Sequence, residues 1–227
     1  VEGIYDEKIS QLRMKEVLSL AEKVLKKGKA SMRDIVISGE ITRIVSRNQV
    51  VNSHGVRCEE ESTILSLEIE GIKWEKGEAG SSFDFWECRR MQDFQWEEIV
   101  ERVVKNASKS VKKKKISTGI YPLILSPLST FFFLRTLASH LNAENVQKKR
   151  SFFQGKLGKK VASEILTLHD DALIPGGLYS FPFDGEGVPH RRVCLIEKGI
   201  LQTYLHNSYT SGKDKVRNTA HALPGGG

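Results

Sequence analysis

Residues 63–70 read "TILSLEIE". Leu65, Leu67 and Ile69 fall on one side of an extended chain, and Ser66, Glu68 and Glu70 on the other, because successive strand side chains point to opposite faces. An antiparallel sheet with one buried and one wet face produces this pattern. The flanks extend it. "DIVISGEITRIV" (34–45) is dense in β-branched residues, "VVNSHGVR" (50–57) carries an Asn-Ser-His-Gly turn core, and "SFDFWECR" (82–89) alternates again. Ahead of these strands, Met14, Val17, Ala21 and Val24 recur at three- and four-residue steps. That spacing predicts an amphipathic helix over 11–27, ended by Gly28. Behind them, Trp96, Ile99, Val100, Val103, Val104 and Ala107 make a second helical stripe, with Asp93 as its N-cap and Glu97 and Glu98 in its first turn.

The run Lys112–Lys115 then marks a change of domain, placed near residue 117. An N-terminal α+β domain is expected over 1–117 and a second domain over 118–227. In the second, "YPLILS" (121–126) reads as a buried strand, 128–146 as a helix and "SEILTL" (163–168) as a strand. "VCLIEKGILQTYL" (193–205) reads as a hairpin turning at Glu197-Lys198-Gly199. The fold class is α+β: an antiparallel sheet with helices in the N-terminal part, then a β-rich C-terminal part with one prominent helix. The chain opens at Val1 and closes on Pro-Gly-Gly-Gly, so both domains are expected to be parts of a longer polypeptide.

The 227 residues are 39% hydrophobic and 28% charged, enough for one sizeable core or two smaller ones. No run approaches the roughly 18 apolar residues of a membrane span. Cys58, Cys88 and Cys194 are widely spaced and form no CxxC pair, which argues against a disulfide framework or structural zinc site and for a reducing cytoplasm. The net charge of +7 gathers at Lys23–Lys29, Lys112–Lys115 and Lys148–Lys160. The first two clusters fall at predicted helix ends, where cations suit the macrodipole, so nucleic acid is not the expected partner.

Several stretches offer chemistry. In "LRTLASHLNAE" (134–144), His140 and Glu144 share the polar side of the predicted helix, opposite Phe131, Leu134, Leu137, Ala138 and Leu141. Two such groups fall short of the three protein ligands a catalytic zinc needs. "LHDDALIPGG" (168–177) holds His169, Asp170 and Asp171, a cluster read as a turn leaving a strand. "YSFPFDGEGVPHRR" (179–192) packs carboxylates and arginines between aromatics. Phe181, Phe183, Asp184, Glu186, Arg191 and Arg192 are its candidate groove or interface residues, either as a carboxylate–guanidinium turn or as a site lining. No GxSxG elbow, Walker A loop or Rossmann glycine pattern is present, and Gly155 and Gly158 give only a faint phosphate-loop signal.

Taken in order, "YDEKIS", "VVNSHGVRCEEEST", "GIYPLILSPLST", "SFFQGKLGKKVASEILTLHDD", "PGGLYSFPFDGEGVPHRR" and "LIEKGILQTYLHNSYT" resemble the blocks of the TldD/PmbA family. The resemblance runs nearly end to end, and 151–192 is its most specific part. It implies a cytoplasmic, two-domain subunit of a dimeric metallopeptidase that cleaves unstructured peptides. Some members are also linked to DNA gyrase as modulators. In TldD-like members an H-E-x-x-x-H helix and a later Cys hold the metal, the Glu serving as base for a metal-bound water. PmbA- or TldE-like members lack these groups. Aligned on "FFQGKLGKKVAS", this chain places Leu134, Arg135 and Ser139 where His, Glu and His would stand. His140 misses the second His position by one residue, about 100° around the helix. None of the three cysteines matches the late Cys.

The resemblance therefore implies a PmbA/TldE-like subunit with no catalytic residue, metal or cofactor of its own. Zinc is expected only in a TldD-like partner; pairing with itself is the other possibility. Two rival readings stand beside it. One is an active metallopeptidase drawing ligands from His169, Asp170, His190 or His206. The other is a nucleic-acid-associated gyrase modulator working through the lysine clusters.

Overall fold

A computed structural model describes residues 1–223 and shows a mixed α+β architecture with two three-stranded sheets. The chain groups into two compact units. One contains Glu2–Ser46 and Glu61–Leu123. The other contains Arg47–Glu60 and Ile124–Gly227, together with Val1.

The first unit opens with α1 (Glu7–Ser10) and α2 (Met14–Ser31). Strands β1 (Ile35–Val51), β2 (Arg57–Glu75) and β3 (Glu78–Cys88) follow in the spatial order β1-β2-β3. The β2–β3 ladder is antiparallel, pairing Leu65 with Cys88 through Glu75 with Glu78. Leu65, Leu67 and Ile69 are all buried and Glu68 and Glu70 exposed, as the alternation of 63–70 predicts, but Ser66, expected on the wet face, is buried as well. After a 3₁₀ turn at Met91–Asp93, α3 (Trp96–Ser110) lays its stripe on the sheet. Ile99, Val100, Val103, Val104 and Ala107 close a core with Val24, Ile35, Leu67 and Ile69.

Two local expectations fail in this unit. Gly28 does not end α2 but lies buried inside it. A Cβ there would stand 1.9 Å from Ile37 Cδ1, so the missing side chain lets the helix lie close against β1. Asp93 does not cap α3: the N-cap is Gln95, with no side-chain cap bond, because the Asp93 carboxylate is paired with Arg90 Nε at 2.7 Å.

The second unit contains α4 (Pro127–Leu141), α5 (Ala143–Gln147), β4 (Leu168–Asp170), β5 (Val193–Glu197), β6 (Ile200–Leu201) and α6 (Ser208–Asp214). Its strands run in the antiparallel order β4-β5-β6. The β5–β6 turn uses Lys198 (φ 45°) and Gly199 (φ 78°), the two-residue left-handed turn favoured in hairpins. Leu141, Ala143, Val146, Phe153, Val193, Leu195, Ile196, Leu201 and Tyr204 form its core.

Three expectations are corrected here. "YPLILS" is neither strand nor buried, and 121–126 is exposed throughout; a continuous apolar run cannot by itself say whether a partner strand exists. In 163–168 only Leu168 enters a strand, because Leu166 N–H turns back to the Ser163 carbonyl at 3.0 Å. The single helix over 128–146 is two helices. Asn142 leaves the helical backbone (φ −64°, ψ 124°) and caps α5 with its own side chain. Among the described residues no helix is long and apolar enough to cross a membrane.

Candidate functional site

Helix α4 begins at Ser126, whose hydroxyl accepts from Ser129 N–H, and Pro127 takes the first turn. Leu134, Arg135 and Ser139 are all exposed on it. His140 and Glu144 do not converge. The break at Asn142 puts Glu144 in α5, where it pairs with Lys148, and that ammonium holds its carboxyl below the usual range. His140 instead lays its ring on Phe152, 4.1 Å between centroids. Its Nδ1 is buried without a partner.

Leu134, Arg135 and Ser139 offer an aliphatic, a guanidinium and a hydroxyl, a set that does not fit a divalent ion. Among the described residues no three His, Cys, Asp or Glu side chains gather to hold one. The rival ligand set does not assemble either. Asp170 Oδ2 lies 2.9 Å from His221 Nε2, His190 meets the His221 ring edge-on at 6.2 Å, and His169 is exposed. His206 is held in the backbone network with Thr219. Burial lowers the proton affinity of both His190 and His206, in each case with help from His221. His190 Nδ1 and His206 Nδ1 are buried and unpartnered.

The loop 179–192 is tied to a strap formed by 218–222. Asp184 is 5% exposed. Its Oδ1 accepts from Glu186 N–H (3.0 Å) and Val188 N–H (2.9 Å), and its Oδ2 from Ala222 N–H (3.0 Å). Glu186 Oε2 accepts from Ser208 N–H at 3.0 Å, at the start of α6. Arg191 donates to the Asn218 carbonyl, and Arg192 reaches Asp171 at 3.8 Å. Phe183 bridges to Pro189 across the loop, and Phe181 N–H donates to the Ala172 carbonyl at 3.0 Å. Gly187 (φ 81°) faces Val56, Val50 and Cys58 of the hairpin tip, where a Cβ would meet Val56 Cγ1 at 2.5 Å. The sequence reading missed the strap residues Thr219 and His221. They lie 27 or more residues beyond the loop, and no local pattern connects the two.

A second loop, Lys148–Lys160, packs on the C-terminal end of α4. Phe153 is buried, and its carbonyl accepts from Tyr204 hydroxyl at 2.7 Å. Ser151 Oγ donates to the His140 carbonyl at 2.5 Å. Gly158 N–H reaches the Leu201 carbonyl at 2.8 Å, and Leu201 N–H the Lys159 carbonyl at 3.1 Å. Lys149, Gly155 and Gly158 all take positive φ, which fixes the course of the loop.

Comparison with known proteins connects this architecture to a family. Residues 5–111 match the PmbA/TldA metallopeptidase central domain and residues 118–226 the PmbA/TldA metallopeptidase C-terminal domain. An uncharacterized protein of Methanocaldococcus jannaschii is 35% identical over 93% of this chain and 51% of its own length. A metalloprotease PmbA homolog of Buchnera aphidicola is 33% identical over 75% of this chain and 38% of its own. A crystal structure of a candidate modulator of a DNA gyrase from Thermotoga maritima superposes with a TM-score of 0.91 at 28% identity. That match covers 98% of this chain and 52% of the other. The chain thus spans about half or less of the length of these relatives. By both of its matched domains, in chain order, and by relatives along almost its whole length, the chain belongs to the PmbA/TldD metallopeptidase family.

Proposed function

We propose that this chain is the PmbA/TldE-like, catalytically silent part of a TldD/PmbA-type metallopeptidase that processes unstructured peptides. The observation that carries the reading is the chemistry of α4. Leu134, Arg135 and Ser139, which the resemblance aligns with the His, Glu and His of TldD-like members, stand exposed on this helix. A guanidinium at the central position repels a divalent cation. In this reading zinc and the attacking water belong to a TldD-like partner, or the protein pairs with itself in a scaffolding role. This chain contributes surface that holds an extended peptide, with Phe181, Phe183, Asp184, Glu186, Arg191 and Arg192 lining or bracing the groove or interface. The compartment is the cytoplasm.

Zinc analysis and a peptidase assay on the purified protein, alone and with a TldD-like partner, test the reading. The expected result is substoichiometric zinc and no turnover alone, with turnover once the partner is added. Stoichiometric zinc together with activity in the isolated protein overturns it.

A further inference from the structure

The second unit carries an unbalanced group of cations on a braced loop. Lys148, Lys149, Arg150, Lys156, Lys159 and Lys160 fall within thirteen residues, and no acidic residue lies between Glu144 and Glu164. Lys148 is paired with Glu144. Among the described residues the other five have no carboxylate within ion-pairing distance. These five charges cost little chain entropy to present, because the loop is anchored by buried Phe153 and by its bonds to Leu201.

An aromatic surface sits among them. Phe152 is 58% exposed, yet it is not loose. His140 stacks at 4.1 Å and Phe153 at 4.4 Å, so the ring is held while much of it faces outward. A single exposed aromatic is ordinary on a protein surface; what distinguishes Phe152 is that its ring is held in place by two neighbours on a loop that carries these cations. His140 also ties this surface to α4, the helix on which the family motif is replaced.

We infer that the Lys148–Lys160 loop, with Phe152 at its centre, is a docking surface for acidic stretches of unfolded polypeptide. The inference rests on the peptide-handling role proposed above and names the substrate class that role favours. Charge complementarity selects the occupant. A flexible peptide rich in Asp and Glu meets several cations spaced along one loop, and an apolar side chain beside them packs on Phe152. Such a surface accelerates capture and sorts peptides by charge more than it adds affinity through any single pair.

The test is fluorescence anisotropy on the purified protein with labelled unstructured 15-residue peptides, matched in length and apolar content but acidic or basic. Acidic peptides are expected to bind at least about tenfold tighter, and to weaken as salt shortens the Debye length below about 10 Å. The triple reversal Lys156→Glu, Lys159→Glu and Lys160→Glu should erase the preference, and Phe152→Ala should weaken binding several-fold. These residues lie on the exposed side of the loop, and a circular-dichroism melt confirms that each variant folds. Equal affinity for acidic and basic peptides overturns the inference, as does an unaltered preference in the triple variant. Tighter binding of a single-stranded oligonucleotide of equal charge also overturns it, by assigning the surface to nucleic acid. Binding is read without turnover or zinc, so zinc-dependent activity in the isolated protein would remove the silent-subunit reading while leaving this result standing.

Discussion

Asp184 gives the sharpest handle on how the 179–192 loop is held. One carboxylate accepts three backbone N–H groups, two from its own turn and one from Ala222. It does so at 5% exposure, where little water can replace it. Asp184→Ala leaves all three donors without a partner. Each orphaned N–H that is shielded from water costs about 1–3 kcal/mol, so three give an expected loss of about 3–9 kcal/mol, towards the low end because two of them are only partly buried, and still a large share of a domain's total stability. Asp184→Asn separates the two ends of this network. An amide oxygen can keep the Glu186 and Val188 bonds, while its NH₂ faces the Ala222 donor. Only one bond is lost, and about 1–3 kcal/mol is expected. Guanidinium unfolding measures the order wild type, Asn, Ala. Hydrogen exchange should show the Asn variant deprotected at the Ala222 amide while the Glu186 and Val188 amides stay protected. Equal destabilisation by the two substitutions, or an Ala variant within 1 kcal/mol of wild type by the same unfolding measurement, refutes this account of the network.

Other parts of the fold give further expected outcomes. Gly28→Ala should destabilise by about 1–3 kcal/mol through overpacking against Ile37, and Ile37→Ala should recover part of the loss in a double-mutant cycle read by thermal melting. Burial holds His190 and His206 below their ordinary proton affinity. The unfolded chain therefore takes up protons first as pH falls below about 6.5. Stability should decline from there until the folded state protonates too, and His190→Gln should flatten that slope in melts taken between pH 7 and 5. The Cys88 thiol is pushed up to about 11, mainly by burial. A disulfide reagent at pH 8 should label it only as fast as the protein opens, so equal labelling rates in native and urea-unfolded protein would contradict its placement.

The parts legible from sequence are those whose signal is local. Alternation at 63–70 and the stripe from Ile99 to Ala107 each encode a face, and both faces are buried as read. The Lys198–Gly199 turn is likewise a two-residue matter. Legibility ends where the partner is remote. Gly28 reads as a helix stop because its role depends on Ile37 across the interface. "YPLILS" reads as a strand because hydrophobicity records only a preference for cover, not its presence. In the candidate site, Asp184, Glu186 and Arg191 are recognisable as charged residues on an unusual loop. Their acceptors and donors, at Ala222, Ser208 and Asn218, lie 22 to 38 residues away. Helical spacing pairs His140 with Glu144, and a single capping asparagine breaks that pairing by starting a separate helix at Ala143.

The long hairpin leaves one unit and ends in the other. Residues 47–60 group with 124–227 although sixty-three residues of chain intervene, and Gly187 is shaped around Val56. The unit is thus assembled from discontinuous pieces. A ribosome must release both before it can close, so its formation waits on late synthesis however early the hairpin itself zips. Expression of 118–227 by itself would yield a body deprived of its inserted tip, and supplying 47–60 as a separate peptide is the natural complementation experiment.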